Sequence, residues 1–218
     1  MLKWERADEH AWEPFGSAMQ IELQASLDDT GRVIYWNHET FSDTHMSRPS
    51  AHRENSRLLA AWHLQSPRPA PPVKPTPGFH TGIHRNADPI YDFADRRVVK
   101  HLVHDLPLRV SALRSLGAYA NVFAIESFMD ELAHFRDMDP LEFRLAHLSD
   151  NRARAVLEAA TSKANSGFSS ADDGHGRGLA VARYKNSKCY VAVVIDLIVD
   201  DYGDRKSTRL NSSHVLIS

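Results

Sequence analysis

Three features of the amino-acid sequence point to an α+β fold with mixed sheet elements and a layer of short helices. Apolar and polar side chains alternate from Ile21 to Leu27, the two-residue period of a half-buried strand. Large apolar residues recur at helical spacing between Val122 and Ala160. The run from Tyr190 to Val199 is β-branched and apolar on both alternating faces, as in a strand covered on both sides. Strands, then helices, then strands give the α+β order.

Each element follows from local chemistry. After Leu27, Asp28-Asp29-Thr30-Gly31 supplies turn residues, and Arg32-Val33-Ile34-Tyr35-Trp36 resumes extended character, so a hairpin is expected. Residues 42–57 are polar and irregular and read as loop. Six prolines between Pro67 and Pro77 exclude helix and central strand there. That segment is an extended connector or a polyproline ligand for an SH3-like partner, the connector being favoured. From Asn121, Val122, Ile125, Phe128, Met129 and Leu132 line one helix face, with Glu126, Asp130 and Glu131 off it. Asp139-Pro140 is a helix start, with Asp at the N-cap and proline where its missing donor costs nothing. Leu141, Leu145 and Leu148 form the next stripe. Ser149-Asp150-Asn151 ends that helix and caps another, with Val156, Leu157 and Ala160 facing inward. Residues 166–178 read as a linker, followed by strands around 178–184 and 190–199. The last stretch, 205–218, shows no periodicity and resembles a translated sequencing-adapter read-through.

The composition narrows the function classes. The chain of 218 residues has a net charge of −2, so nothing electrostatic favours nucleic acid or an acidic membrane surface. No apolar run reaches the roughly 20 residues that span a bilayer, and no signal peptide is visible at Met1–Arg6. Cys189 stands alone, which excludes an internal disulfide framework, a CxxC redox pair and an iron–sulfur cluster held by this chain alone.

Several motifs carry less than their spacing suggests. His80-x-x-x-His84 and His101-x-x-His104 have metal-like intervals, but no acidic or cysteine partner sits beside either pair, so ordinary histidines are favoured and no metal ligand is assigned. His134 and His147 read as ordinary polar positions. Gly174-His175-Gly176-Arg177-Gly178 lacks the strand before and the helix after that a dinucleotide fingerprint needs. Asp130 and Glu131 point about 100° apart on a helix and cannot flank one bond. The stretch Leu113-Arg114-Ser115-Leu116-Gly117-Ala118 is more informative. Glycine permits close backbone approach, a helix N-terminus offers unpaired donors, and Arg114 adds a cationic fork. Together they suit an anionic or oxo-rich ligand, although a helix entry with a surface arginine would look the same.

Four blocks resemble one family. Leu106-Pro107-Leu108-Arg109, the Leu113–Ala118 stretch, Phe123-Ala124-Ile125-Glu126-Ser127-Phe128-Met129-Asp130-Glu131-Leu132-Ala133 and Asp139-Pro140-Leu141-Glu142-Phe143-Arg144-Leu145 resemble the molybdopterin-binding large subunit of the xanthine dehydrogenase/aldehyde oxidase family, in its isoquinoline 1-oxidoreductase and nicotinate dehydrogenase branch. Weaker correspondences extend the resemblance over about residues 1–203. It implies a hydroxylase of N-heterocycles or aldehydes that uses water-derived oxygen and passes electrons to an iron–sulfur small subunit. The implied cofactor is molybdenum-molybdopterin, its cytosine dinucleotide form being one alternative, with Arg114 and Gly117 as cofactor-binding residues. The implied domains are 1–166 as part of a first molybdopterin-binding domain and 167–204 as linker and start of a second, with 205–218 a non-native tail. The family's glutamate base has no counterpart here, so no catalytic residue is nominated and the chain alone is expected to bind no cofactor. A non-catalytic binding or scaffold fragment sharing the fold is the alternative. The intact protein could be cytoplasmic or periplasmic.

Overall fold

The computed structural model describes residues 3–45, 59–68, 72–164, 174–203 and 205–215. Most of the 42–57 loop, the middle of the proline-rich connector and most of the 166–178 linker lie outside the described residues. The fold is α+β, built on two three-stranded sheets.

The hairpin forms as expected. β1 (Met19–Leu27) pairs antiparallel with β2 (Val33–Ser42). The Asp28 carboxylate closes the turn by accepting from the amides of Thr30 and Arg32, and Gly31 takes a φ of 86°. The Thr30 hydroxyl, which also donates to it, and then the Arg32 amide hold the Asp28 carboxyl below its usual range. β3 (Asp95–Leu102) then pairs parallel to β2, on the side away from β1. No alternation in Asp95-Arg96-Arg97-Val98-Val99-Lys100 announces this strand. On the outer face Arg97 and His101 both reach Glu39, and His101 stacks on Phe41 with ring centroids 4.2 Å apart. The Glu39 carboxyl is drawn down to about 2, first by Arg97 and then by His101. Two helices also escape the periodicity: α1 (Arg6–Trp12) and the single turn α2 (Leu59–Trp62).

The helical layer agrees in outline with the sequence pattern. α3 (Ala118–Phe135) buries Ile125, Met129 and Leu132. Asp139 caps α4 (Pro140–Ala146), its carboxylate accepting from the Leu141 and Glu142 amides at 2.9 and 3.0 Å. Asp150 caps α5 (Asn151–Ala164), whose Val156, Leu157 and Ala160 are buried. Three expectations need correction. Glu126 is buried rather than solvated, because Arg144 lies against it. The deepest residues of α4 are Phe143 and Arg144, while Leu141 and Leu145 only pack at the margin of the core. His147 is buried and doubly bonded: Nε2 accepts from the Val33 amide, and Nδ1 donates to the Phe143 carbonyl.

The second sheet follows the helical layer in the chain. β4 (His175–Arg183) pairs antiparallel with β5 (Tyr190–Val199), so the strand starts earlier than its composition suggests. β5 is not covered on both sides: Tyr190, Ala192, Val194 and Asp196 are buried, with α5 across this sheet, whereas Ile195 on the other face is exposed. The tail is extended and paired. β6 (Arg205–Val215) pairs antiparallel with β5, because an extended edge accepts any backbone able to run beside it, with or without an alternating pattern.

Candidate functional site

The turn before α3 is where the sequence motif and the fold meet. Ser115 and Leu116 have φ of 75° and 53°, a left-handed pair that side chains other than glycine adopt at a cost. Arg114 is exposed, with no hydrogen-bond or ion-pair partner among the described residues. Gly117 is the N-cap of α3, and the amides of Tyr119 and Ala120 in the first turn have no acceptor among the described residues. The turn therefore offers a cationic fork beside unsatisfied donors.

What holds the turn is the chain itself. The Gly117 amide donates to the Gly82 carbonyl at 3.1 Å. A methyl group on Gly117 would sit 2.2 Å from the Ile83 carbonyl oxygen, so only glycine allows this contact. Four residues on, Asn121 is fully buried. Its Nδ2 donates to the carbonyls of Ile83 and Arg85 at 2.8 and 3.0 Å. Its Oδ1 accepts from the Thr40 hydroxyl at 2.9 Å and from His38 Nε2 at 3.1 Å. One amide thus fastens β2, the Gly82–Arg85 segment and α3. Burial pushes the His38 imidazole down to about 4, against the opposing bond from Asn121, so the ring is neutral; the Nε2–H tautomer is the one that can donate to the Asn121 oxygen.

The same segment is tied to the second sheet. Asn86 Nδ2 donates to the Arg183 carbonyl and to Asn186 Oδ1, and its Oδ1 accepts from the Lys185 amide. Asn186 returns a bond to the Asp88 carbonyl at 2.8 Å. Farther along α3, Glu126 accepts from the Tyr91 hydroxyl, Arg144 Nε and the Val181 amide. Burial raises the Glu126 carboxyl, with Arg144 pulling the other way. Burial also works against the Arg144 charge, but Glu126, Tyr91 and Asp130 hold the guanidinium fully charged.

The histidine pairs do not come together as a metal centre. His84 Nε2 meets the Gly78 carbonyl at 2.6 Å and Nδ1 faces Lys100, while His101 belongs to Glu39. Among the described residues no three His, Cys, Asp or Glu converge to hold a metal ion. No described helix is long and apolar enough to cross a membrane. Sequence reasoning nominates Arg114 and Gly117 and does not nominate His38, Thr40, Asn121 or Asn86. The partners of Asn121 lie on strands and loops far away in sequence, and no local pattern marks them.

The class of protein is given by a match to the molybdopterin cofactor-binding domain family over residues 70–148, which includes the Gly82–Asn86 segment, the Arg114 turn and all of α3. The chain is 34% identical to one subunit of the nicotinate dehydrogenase of Pseudomonas putida, over 96% of its own length and 18% of that protein's. It is 26% identical to the beta subunit of the isoquinoline 1-oxidoreductase of Brevundimonas diminuta, over 97% of its own length and 24% of that protein's. Aldehyde oxidoreductase from Desulfovibrio gigas is a looser structural likeness, with 16% identity, 87% of this chain, 20% of that one and a TM-score of 0.41. These matches support kinship with the molybdopterin-binding subunits of the xanthine dehydrogenase/aldehyde oxidase family. It spans roughly a fifth of the length of the curated relatives it matches.

The two nominated residues fit a pterin cofactor unequally. Arg114 fits, because an exposed, partnerless guanidinium is the group that grips phosphate in two places. Gly117 meets its own chain where a side chain would stand, so its close approach is to the Ile83 carbonyl, and any contact with a cofactor is through its backbone.

Proposed function

We propose that this chain supplies part of the cofactor-binding shell of a molybdenum hydroxylase large subunit, with Arg114 gripping an anionic portion of the cofactor. The observation that carries the reading is the exposed, partnerless Arg114 on a turn held from behind by buried bonds. The names of the relatives favour an N-heterocycle over an aldehyde as substrate, and electrons would pass to an iron–sulfur partner subunit. When bound, molybdenum-molybdopterin, in its plain or cytosine dinucleotide form, would accept the two electrons released as water-derived oxygen enters a C–H bond. This chain's residues bind and orient: Arg114 offers two parallel N–H donors, and the Tyr119 and Ala120 amides stand in the first turn of the helix that follows, without an acceptor among the described residues. Residues 1–166 would belong to a first molybdopterin-binding domain and 167–204 to the join and start of a second, with 205–218 foreign to both. By itself the chain would not retain the cofactor.

The test uses an intact homologous subunit carrying this segment. Arg114→Ala should lower cofactor occupancy, read as molybdenum per polypeptide and as released pterin fluorescence. Unchanged occupancy would remove the assignment and favour a scaffold that keeps the fold without the ligand.

A further inference from the structure

We infer that Asn121 is the positioning residue of the Arg114 turn: its saturated amide sets where the guanidinium stands toward a phosphate-bearing ligand. The inference rests on the reading of Arg114 as an anion-gripping residue.

The argument starts from strain. Two consecutive left-handed residues, Ser115 and Leu116, persist only where the surroundings over-determine them. Arg114 itself is exposed without a partner among the described residues, and the turn's own bonds, Leu116 amide to Leu113 carbonyl and Ala118 amide to Ser115 carbonyl, are local. The restraint comes from behind and has two parts. The first is the Gly117 amide on the Gly82 carbonyl, with the Gly117 Cα packed against Ile83. The second is Asn121, one helical turn along, where both amide protons go to the carbonyls of Ile83 and Arg85. Without Asn121 the Gly82–Arg85 segment would lose the bonds that keep its carbonyls aimed at α3, and the Gly117 contact would lose its footing.

The other side of the amide fixes Asn121 in turn. Thr40 donates to Oδ1, so its oxygen is free to accept from His38 Nε2, which also reaches Oδ1. Hydroxyl, imidazole and amide therefore have one consistent proton arrangement, and with it one side-chain rotamer. His38 is held neutral by burial, so the arrangement is stable at physiological pH. Satisfying every polar group of a buried asparagine on three separate elements is more than packing requires; an apolar residue would fill the space. What it adds is direction, and the element it directs is the turn that presents Arg114.

The experiment titrates inorganic pyrophosphate calorimetrically into a cofactor-free intact homologous subunit carrying this segment, with trypsin cleavage at Arg114–Ser115 as a ligand-free readout. The unaltered subunit should bind pyrophosphate and resist cleavage. Arg114→Ala should weaken the pyrophosphate response about tenfold or more. Asn121→Leu keeps Arg114 and the core volume but removes every bond; it should weaken binding by a similar factor, about tenfold, and open the Arg114–Ser115 bond to trypsin. Thr40→Val, which deletes one donor to Asn121, should give an intermediate loss and serves if Asn121→Leu does not fold. Leu132→Ala loosens the same helix without touching the turn and should leave affinity and cleavage unchanged at a temperature where it is folded. Retained affinity in both Asn121→Leu and Thr40→Val, beside loss in Arg114→Ala, would overturn the positioning role and leave the Arg114 reading standing. Retained affinity in Arg114→Ala, or no response in the unaltered subunit, would overturn that reading and this one with it. Equal loss in Leu132→Ala would reduce the effect to general loosening and sink the inference.

Discussion

β2 and β5 are both central strands of three-stranded sheets, yet they bury opposite chemistry. The inner face of β2 carries His38, Thr40 and Ser42 beyond Trp36, while that of β5 carries Tyr190, Ala192 and Val194 before reaching Asp196. An apolar inner face is held by area and shape, which tolerate substitution and small shifts. A polar inner face is held by directional bonds that exist in one register only, because a buried group left unpaired costs about 1–3 kcal/mol. β2 is thus the strand that fixes neighbouring elements in place, and β5 is the strand that gives them a floor. α3 touches both sheets, through Asn121 at one end of its buried stripe and Glu126 at the middle.

Breaking the join between the two regions should cost most. Arg144→Ala strands Glu126, which also holds the Val181 amide of β4, and should lower stability by about 3–5 kcal/mol in urea unfolding. A loss below about 1 kcal/mol would mean that the Glu126–Arg144 pair does not carry the join.

Acid should then separate them. His38 binds its proton near pH 4 when folded, against 6.5 ordinarily, so the unfolded chain takes up protons that the folded chain refuses. The stability His38 contributes is complete above pH 6.5 and should fall by about 3 kcal/mol on reaching pH 4. His147, also lowered by burial, acts in the same direction. Urea midpoints measured across this range should fall less in His38→Gln; parallel slopes in the two proteins would contradict the assignment.

Two glycines offer the sharpest contrast. Gly117→Ala places a methyl against the Ile83 carbonyl and should cost about 1–3 kcal/mol. Gly178→Ala on the open face of β4 meets nothing within 4 Å and should be neutral or stabilising by up to about 1 kcal/mol. Thermal melts of both variants check the pair, and equal losses would erase the distinction between the packed turn and the open strand.

The same contrast explains how much was legible beforehand. β1, the start of β2, α3, α5 and β5 announce themselves because their apolar residues follow a period. The Asp139 cap and the Asp28 turn are legible because their chemistry is local. β3 is not, since its pairing depends on β2 and its own residues are charged. Glu126 reads as a surface carboxylate until Arg144, 18 residues away, is placed against it. Asn121 and His38 are 83 residues apart and share no motif. Of the candidate site, Arg114 and Gly117 could be read from a turn before a helix, whereas the groups that hold that turn could be found only in three dimensions.

The parallel pairing of β2 with β3 also bears on how the chain folds. The whole stretch from Asp43 to Ala94 must be synthesised before β3 exists, and the Asn86–Asn186 bonds wait for almost a hundred residues more. Both contacts raise the contact order, and both lie around the Gly82–Asn86 segment. During synthesis β1 and β2 can close early as a local hairpin, leaving the far edge of β2 and the polar groups of His38 and Thr40 open to water. The Arg114 turn therefore acquires its shape only when the nascent chain has returned to strands made long before it.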